Sequence, residues 1–388
     1  MSLEALNSPP LIGILTAGCY CALPFVVNNP LFLSSLPWST IKGLNILAYG
    51  ISIYSVTRTG RYDSQQPPPS SSSSKQASEL KKKNDDVDVD VVVDVAVDGI
   101  VNEFNDGNNR SLLNPAGYAF SIWGIIFIGE LIMVSTPYIS SSPSTSTQLI
   151  IREITGPYMM SQLFQILWCA SFRPKYNRSL SSSSAVGGGG GGLYKYISVF
   201  NLTGIAVSLS FCHDAFTTTN DKSAAPSYSN MNYWCYFLPL TLHFGWTTAA
   251  SLVNLNGMYA MRSSPTSSNS GNNNDNSSST KAKAKSVAVL GNISVIIATT
   301  IGITVTYIRN APVYGGVICW ALTAVSVGLK KRLSSLLLLN KNDKNDKIKN
   351  KNKVGMYGAK TQQTLCQIGA IACAMTSAFV VVFSGHGS

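Results

Sequence analysis

The sequence predicts an all-α fold, a polytopic bundle of transmembrane helices. Three observations carry this. The 388 residues are 45% hydrophobic and only 12% charged, against roughly 25% charged in soluble domains. The apolar residues collect in runs of about 17–24, divided by polar, low-complexity stretches, as in a multi-span membrane protein. The basic residues alternate in density from loop to loop, as topology in a membrane requires.

Residues 10–27 (PLIGILTAGCYCALPFVV) form an apolar run interrupted by Pro24. They read as a first span or a signal-like segment, although the preceding MSLEALNSP lacks the basic residues of a signal peptide. Residues 42–57 are a short span. The stretch 58–112 holds PPPSSSSSK, a lysine cluster and DDVDVDVVVDVAVD, and its Pro, Ser and Asp content predicts disorder. Spans follow at 116–137, 156–172, 193–213 and 233–257, then at 286–308 and 312–330 beyond a Ser/Asn tract. A Lys/Asn tract (341–353) precedes the last, at 363–384. Eight spans run from residue 42 onward, nine if 10–27 also crosses. The chain divides into an apolar N-terminal segment (1–41), a core (42–262), a low-complexity loop (263–285) and three further helices (286–384) with a basic loop at 331–362.

Loops 58–117, 173–195, 258–285 and 330–362 carry 7, 4, 4 and 10 Lys or Arg, 25 of the 29 in the chain. The loops between them carry one each: Arg152, Lys222 and Arg309. A missed helix would scramble this alternation, so the four basic loops share the cytosolic, matrix or stromal face. The net charge of +11 therefore points to an anionic membrane face. No RNA-binding module, zinc-finger spacing or basic helix with interleaved aromatics is present, which excludes a nucleic-acid partner. The eight cysteines lie in or beside apolar runs at irregular spacing and read as small hydrophobes. No hydrolase triad, P-loop or metal-ligand spacing appears, and no residue takes a catalytic role.

The stretch 238–262, LPLTLHFGWTTAASLVNLNGMYAMR, is apolar yet carries Pro239, His243, Trp246, Asn254 and Asn256. At helical spacing His243, Trp246, Thr247, Ala250 and Asn254 fall within about 100° of arc, opposite a Leu, Ala and Val face. Such a stripe faces a bundle interior, because an amide in hydrocarbon goes unsatisfied. Small residues and Asn there also serve as helix–helix glue. In 116–137, Phe120, Trp123, Phe127 and Glu130 fall within about 80° on one face, an aromatic strip ending in a carboxylate. Glu130 is costly in lipid unless paired, protonated or near an interface. In 156–172, Ser161, Gln165, Trp168, Cys169 and Phe172 share a face by the same count.

These three helices, in order, resemble those of the TspO/MBR family, the tryptophan-rich sensory and translocator proteins. The spacing Pro239, Trp246, Ala250, Ser251, Asn254 is similar to the last core helix. Pro115, Gly117, Tyr118, Phe120, Trp123 and Phe127 follow the second, with Tyr118 where shorter members have Trp. Gln165 ahead of Trp168 follows the third, where the family usually has Asn. The resemblance spans 42–262, and the last three spans look like those of longer members, outside the five-helix core.

The resemblance implies a five-helix core with a pocket opening toward the basic side. Aromatics of its second, third and fifth helices would line it: Tyr118, Phe120, Trp123, Phe127, Gln165, Trp168, His243, Trp246, Ala250 and Asn254. The implied ligands are flat and apolar, either tetrapyrroles (porphyrin or haem) or sterols, with no required cofactor. A π-rich cleft with few polar groups suits such ligands. His243 would then meet a haem iron or a propionate, or simply be a satisfied bundle histidine. Leu255, Tyr259 and Arg262 fit a proposed sterol pattern at the basic end of the helix. Membrane lipids and a second copy of the chain are the other partners implied. A different reading is a secondary transporter using the extra helices, which favours inverted repeats and paired intramembrane charges. No internal repeat is evident, and Glu130 is the lone acid within a predicted span. Mitochondrial, plastid, endoplasmic-reticulum and plasma membranes all fit, since the N-terminus carries no Arg-rich transit segment.

Overall fold

A computed structural model describes residues 9–28, 35–58, 111–139, 144–172, 196–219, 231–262, 276–342 and 357–384. Most of the insert 58–112, and most of the Ser/Asn and Lys/Asn tracts, lie outside the described residues.

The described chain is helical throughout. Nine α-helices are α1 (Pro9–Asn28), α2 (Trp38–Thr57), α3 (Ile122–Ile139), α4 (Thr145–Ser171), α5 (Ile197–Thr219), α6 (Leu238–Arg262), α7 (Asn276–Ile308), α8 (Pro312–Asn342) and α9 (Ala359–Ser384). A 3-10 turn (Gly117–Ser121) leads into α3, and a π-turn (Tyr233–Phe237) leads into α6. Every sequence-derived span corresponds to one of them. The largest differences are α8, which runs twelve residues past 330 to Asn342, and α4, which begins about three turns early, at Thr145. Its first turns carry Arg152 and Glu153 and so read as loop by hydropathy, yet Ser144 caps them by accepting from the Thr147 amide.

Six of these segments are long and apolar enough to cross a membrane, and α1, at the N-terminal end, is one of them. The chain is an integral, multi-pass membrane protein. The three helices below that apolar threshold, α2, α4 and α6, are those whose polar residues turn inward. Asn45, Thr155, Gln162, Gln165, His243 and Asn254 are all buried. Low hydropathy here reports an interior polar face, paid back by partners across the bundle.

Helices α2 to α6 close a ring in the order α2, α3, α6, α5, α4, each packed on the next and α4 returning to α2. α1 lies against α4 and α5, where Thr16 donates to the Asn201 side chain at 2.9 Å and the Tyr20 hydroxyl to the Phe200 carbonyl at 2.7 Å. On the other side α8 packs on α6, and α7, α8 and α9 form a mutually packed triplet. Lipid offers no hydrophobic drive for helices to associate, so close packing and hydrogen bonds hold the assembly. Asn45 donates to Thr155 (2.9 Å), Tyr49 to the Phe127 carbonyl (2.8 Å) and Asn256 to Ser294 (2.8 Å). Between α7, α8 and α9, glycines let helices touch: a Cβ on Gly369 would meet Leu322 at 3.0 Å and Thr299 at 2.3 Å.

The tightest such place in the ring is Gly204 of α5. A Cβ there would sit 2.6–2.7 Å from the Phe164 ring, and Phe164 is wholly buried with the Tyr20 ring tilted against it, centroids 4.9 Å apart. The ring has nowhere to go. Gly204→Ala is therefore expected to destabilise the protein by about 1–3 kcal/mol. Gly50→Ala, with nothing within 4 Å, is expected to be neutral or stabilising by up to about 1 kcal/mol. Denaturation of both variants in detergent, followed by circular dichroism, checks the contrast.

Candidate functional site

A cavity of about 260 Å³ lies inside the ring at its basic end. The 3-10 turn and α3 contribute Phe120 and Trp123; α4 contributes Trp168 and Phe172; α6 contributes Trp246, Ala250 and Asn254. Ser111, Asn114 and Pro115, which precede the 3-10 turn, border it together with Gly257 and Met258. Those residues adjoin the loops 58–117 and 258–285, so the mouth faces the basic side.

The walls are aromatic and mutually braced. Trp123 and Trp168 stack with centroids 6.0 Å apart, and Trp168 continues onto Phe172 at 5.3 Å. Trp246 stands edge-on to both Phe120 (5.9 Å) and Trp123 (6.2 Å). Offset stacks and T-shaped pairs of this kind are favourable and rigid, leaving π-faces turned to the cavity. Two buried donors on the wall, Trp246 Nε1 and Asn254 Nδ2, have no hydrogen-bond partner among the described residues. Buried donors are normally satisfied, so each is available to an acceptor on an occupant.

Residues 99–184 match a family model described as TSPO-like protein. That segment is similar to TSPO-like proteins. The match covers about a fifth of the chain, including the helices that supply Phe120, Trp123, Trp168 and Phe172. It does not reach α6 or the C-terminal triplet. No curated protein and no solved structure matches the chain.

Six of the ten residues singled out for the pocket line the cavity: Phe120, Trp123, Trp168, Trp246, Ala250 and Asn254. The other four do not. Tyr118 faces outward, 42% exposed, with its ring edge-on to Trp320 of α8 at 5.1 Å. Phe127 lies one turn further along α3, stacked beneath Trp123 at 5.3 Å. Gln165 and His243 are fully buried and absent from the lining. His243 touches the far side of Trp123, ring centroids 5.7 Å apart. With Trp123 between it and the cavity, His243 does not fit the role of a haem ligand. Its partner is Glu130: Nδ1 lies 2.6 Å from Oε1, both side chains being at most 1% exposed. Of the sterol-pattern residues, Leu255 and Tyr259 are half-buried on α6; the Arg262 side chain lies outside the described residues. Among the described residues no group of three His, Cys, Asp or Glu could hold a metal ion.

The last three helices lie outside the five-helix ring, yet α8 reaches the cavity. Ala321 lines the cavity. Residues 320, 324, 328 and 332, spaced by one turn, run along the segment that leads into α3. Trp320 Nε1 donates to the Ala119 carbonyl (3.5 Å), and the Ala116 amide to the Ala324 carbonyl (3.0 Å). Arg332 donates through Nη1 to the Ser111 carbonyl (2.8 Å) and through Nη2 to that of Asn114 (2.9 Å). Gly328 admits this close approach, since its Cβ would meet the Asn114 oxygen at 2.8 Å. This extra helix thus braces the cavity mouth.

Proposed function

We propose that the aromatic cavity binds a flat, largely apolar ligand of the tetrapyrrole or sterol class. The observation that carries this reading is the box of Phe120, Trp123, Trp168, Phe172 and Trp246 around one cavity. π-Faces favour a planar, polarisable occupant over a flexible alkyl chain. A tetrapyrrole is the preferred member, because its carboxylates would lie at the mouth near the basic loops and within the donor range of Asn254. At about 260 Å³ the cavity is just below the usual range for small-molecule sites, roughly 300–1,000 Å³. A macrocycle would therefore enter edge-first and keep its carboxylate edge at the mouth.

The test is a titration of detergent-purified protein with protoporphyrin, following tryptophan fluorescence, with a sterol as competitor. Saturable quenching in the low micromolar range is expected, on the order of −8 kcal/mol. Trp246→Leu should weaken it about tenfold, near 1.4 kcal/mol, the scale of a lost aromatic contact. Linear quenching in both proteins would mean partition into the micelle and would sink the reading.

A second reading, proton-linked transport of a small molecule, is favoured by one observation, the buried Glu130–His243 pair inside the ring. Uptake by proteoliposomes that is lost in Glu130→Gln would place transport first.

A further inference from the structure

Beneath Trp123 the ring holds a polar assembly that the aromatic cavity does not use. His243 Nδ1 and Glu130 Oε1 are 2.6 Å apart, and Gln162 Nε2 lies 3.4 and 3.5 Å from the two Glu130 oxygens. The ionisable groups facing Glu130 are Tyr49 from α2, Tyr158 from α4, Cys212 from α5 and His243 from α6. The nearby basic side chains are engaged elsewhere. Lys42 donates to the Pro137 carbonyl, Arg152 to that of Leu36, and Arg309 to that of Ser210 beside Asp214.

A buried carboxylate is retained only if its charge is compensated. Since no Lys or Arg among the described residues reaches Glu130, compensation falls to the hydrogen-bonded pair itself, as one proton shared between the two side chains would supply it. The geometry gives that proton a place. With Nδ1 committed to Glu130, Nε2 is the second site on the imidazole, and it is buried without a partner among the described residues. The imidazole stands edge-on to the Trp123 indole with ring centroids 5.7 Å apart, close enough for a change of charge on it to alter the field at the indole. Trp123 is also the floor of the aromatic cavity.

A second, very small cavity of about 10 Å³ lies near the pair on the opposite face, the room of about one water. It is lined by Tyr158, beside Glu130, together with Lys42, Asn45 and Pro137, but by neither member of the pair. These residues lie toward the end of the ring away from the basic loops. We propose that the Glu130–His243 pair is a proton-binding site, reached from the Lys42 face, whose protonation is read by Trp123 in the cavity floor. Proton and ligand would then approach the same indole from opposite sides of the membrane.

The test uses ligand-free protein in detergent, so its outcome is separate from that of the protoporphyrin titration. Infrared difference spectra are recorded as pH is varied, alongside tryptophan fluorescence. A carboxyl band and an imidazole band are expected to change together, and fluorescence to follow the same curve. Glu130→Gln should remove the carboxyl band; Trp123→Phe should keep it and lose the matching fluorescence change. Carbon-13 labelling of glutamate carboxyls in the wild type assigns the band to a glutamate even if Glu130→Gln does not fold, and its loss in His243→Gln ties it to the pair. Asn45→Leu, filling the small cavity, should slow the response to a pH jump several-fold. A wild type with no pH-dependent glutamate band, or a band unaltered in both pair variants, overturns the site. A fluorescence curve unchanged by Trp123→Phe overturns the readout, and an unchanged rate in Asn45→Leu overturns the route.

Discussion

Glu130→Leu is expected to destabilise the folded bundle by about 3–5 kcal/mol, and the double variant Glu130→Leu/His243→Leu to recover most of that loss. The asymmetry follows from burial. His243 is wholly buried and Glu130 1% exposed, so removing either partner strands a polar or charged group where neither water nor lipid can satisfy it. Replacing both with leucine removes the desolvation cost together with the attraction, and a well-packed apolar pair is about as good. Gln162, whose amide faces both carboxylate oxygens, would keep one unmet donor and limit the recovery. Denaturation of the single and double variants by SDS, read by circular dichroism, gives the coupling energy directly. Additive losses in the double variant would mean that the two groups do not act as a pair.

The second large effect is expected at Arg332, on a helix beyond the ring. Its guanidinium bridges the Ser111 and Asn114 carbonyls, which belong to the mouth of the cavity. Hydrogen bonds to a charged donor contribute about 1.5–3 kcal/mol each. Arg332→Ala should release the mouth segment and lower protoporphyrin affinity at least tenfold, roughly 1.4 kcal/mol, with helix content unchanged. Arg332→Lys should restore only part of it, because a single ammonium cannot span both carbonyls as the planar fork does. Gly328→Ala is expected to act in the same direction, since its methyl would press on the Asn114 carbonyl. Titrations of the three variants against protoporphyrin check this. Wild-type affinity in Arg332→Ala would show that α8 only packs against the ring.

How far the sequence was legible differs from helix to helix. Helical spacing placed Phe120, Trp123, Trp168 and Trp246 on inward faces, because a face is a local property set by 3.6 residues per turn. The same count also put Gln165 and His243 inward, and they are. It could not say at what depth. Depth depends on how far each helix slides along its neighbours, and that sliding set His243 of α6 below the Trp123 ring of α3.

By itself, then, the sequence determined the order of the helices and their inward stripes, since each rests on local hydropathy or spacing. The tertiary structure alone decided three things. It joined Glu130 to His243 across 113 positions; it laid Trp123 between that pair and the cavity; and it brought α8, more than 200 positions downstream, onto the mouth segment. The reason is common to all three. Each is a contact between helices distant in the chain, and ring closure, rather than any local preference, chooses which inward faces meet.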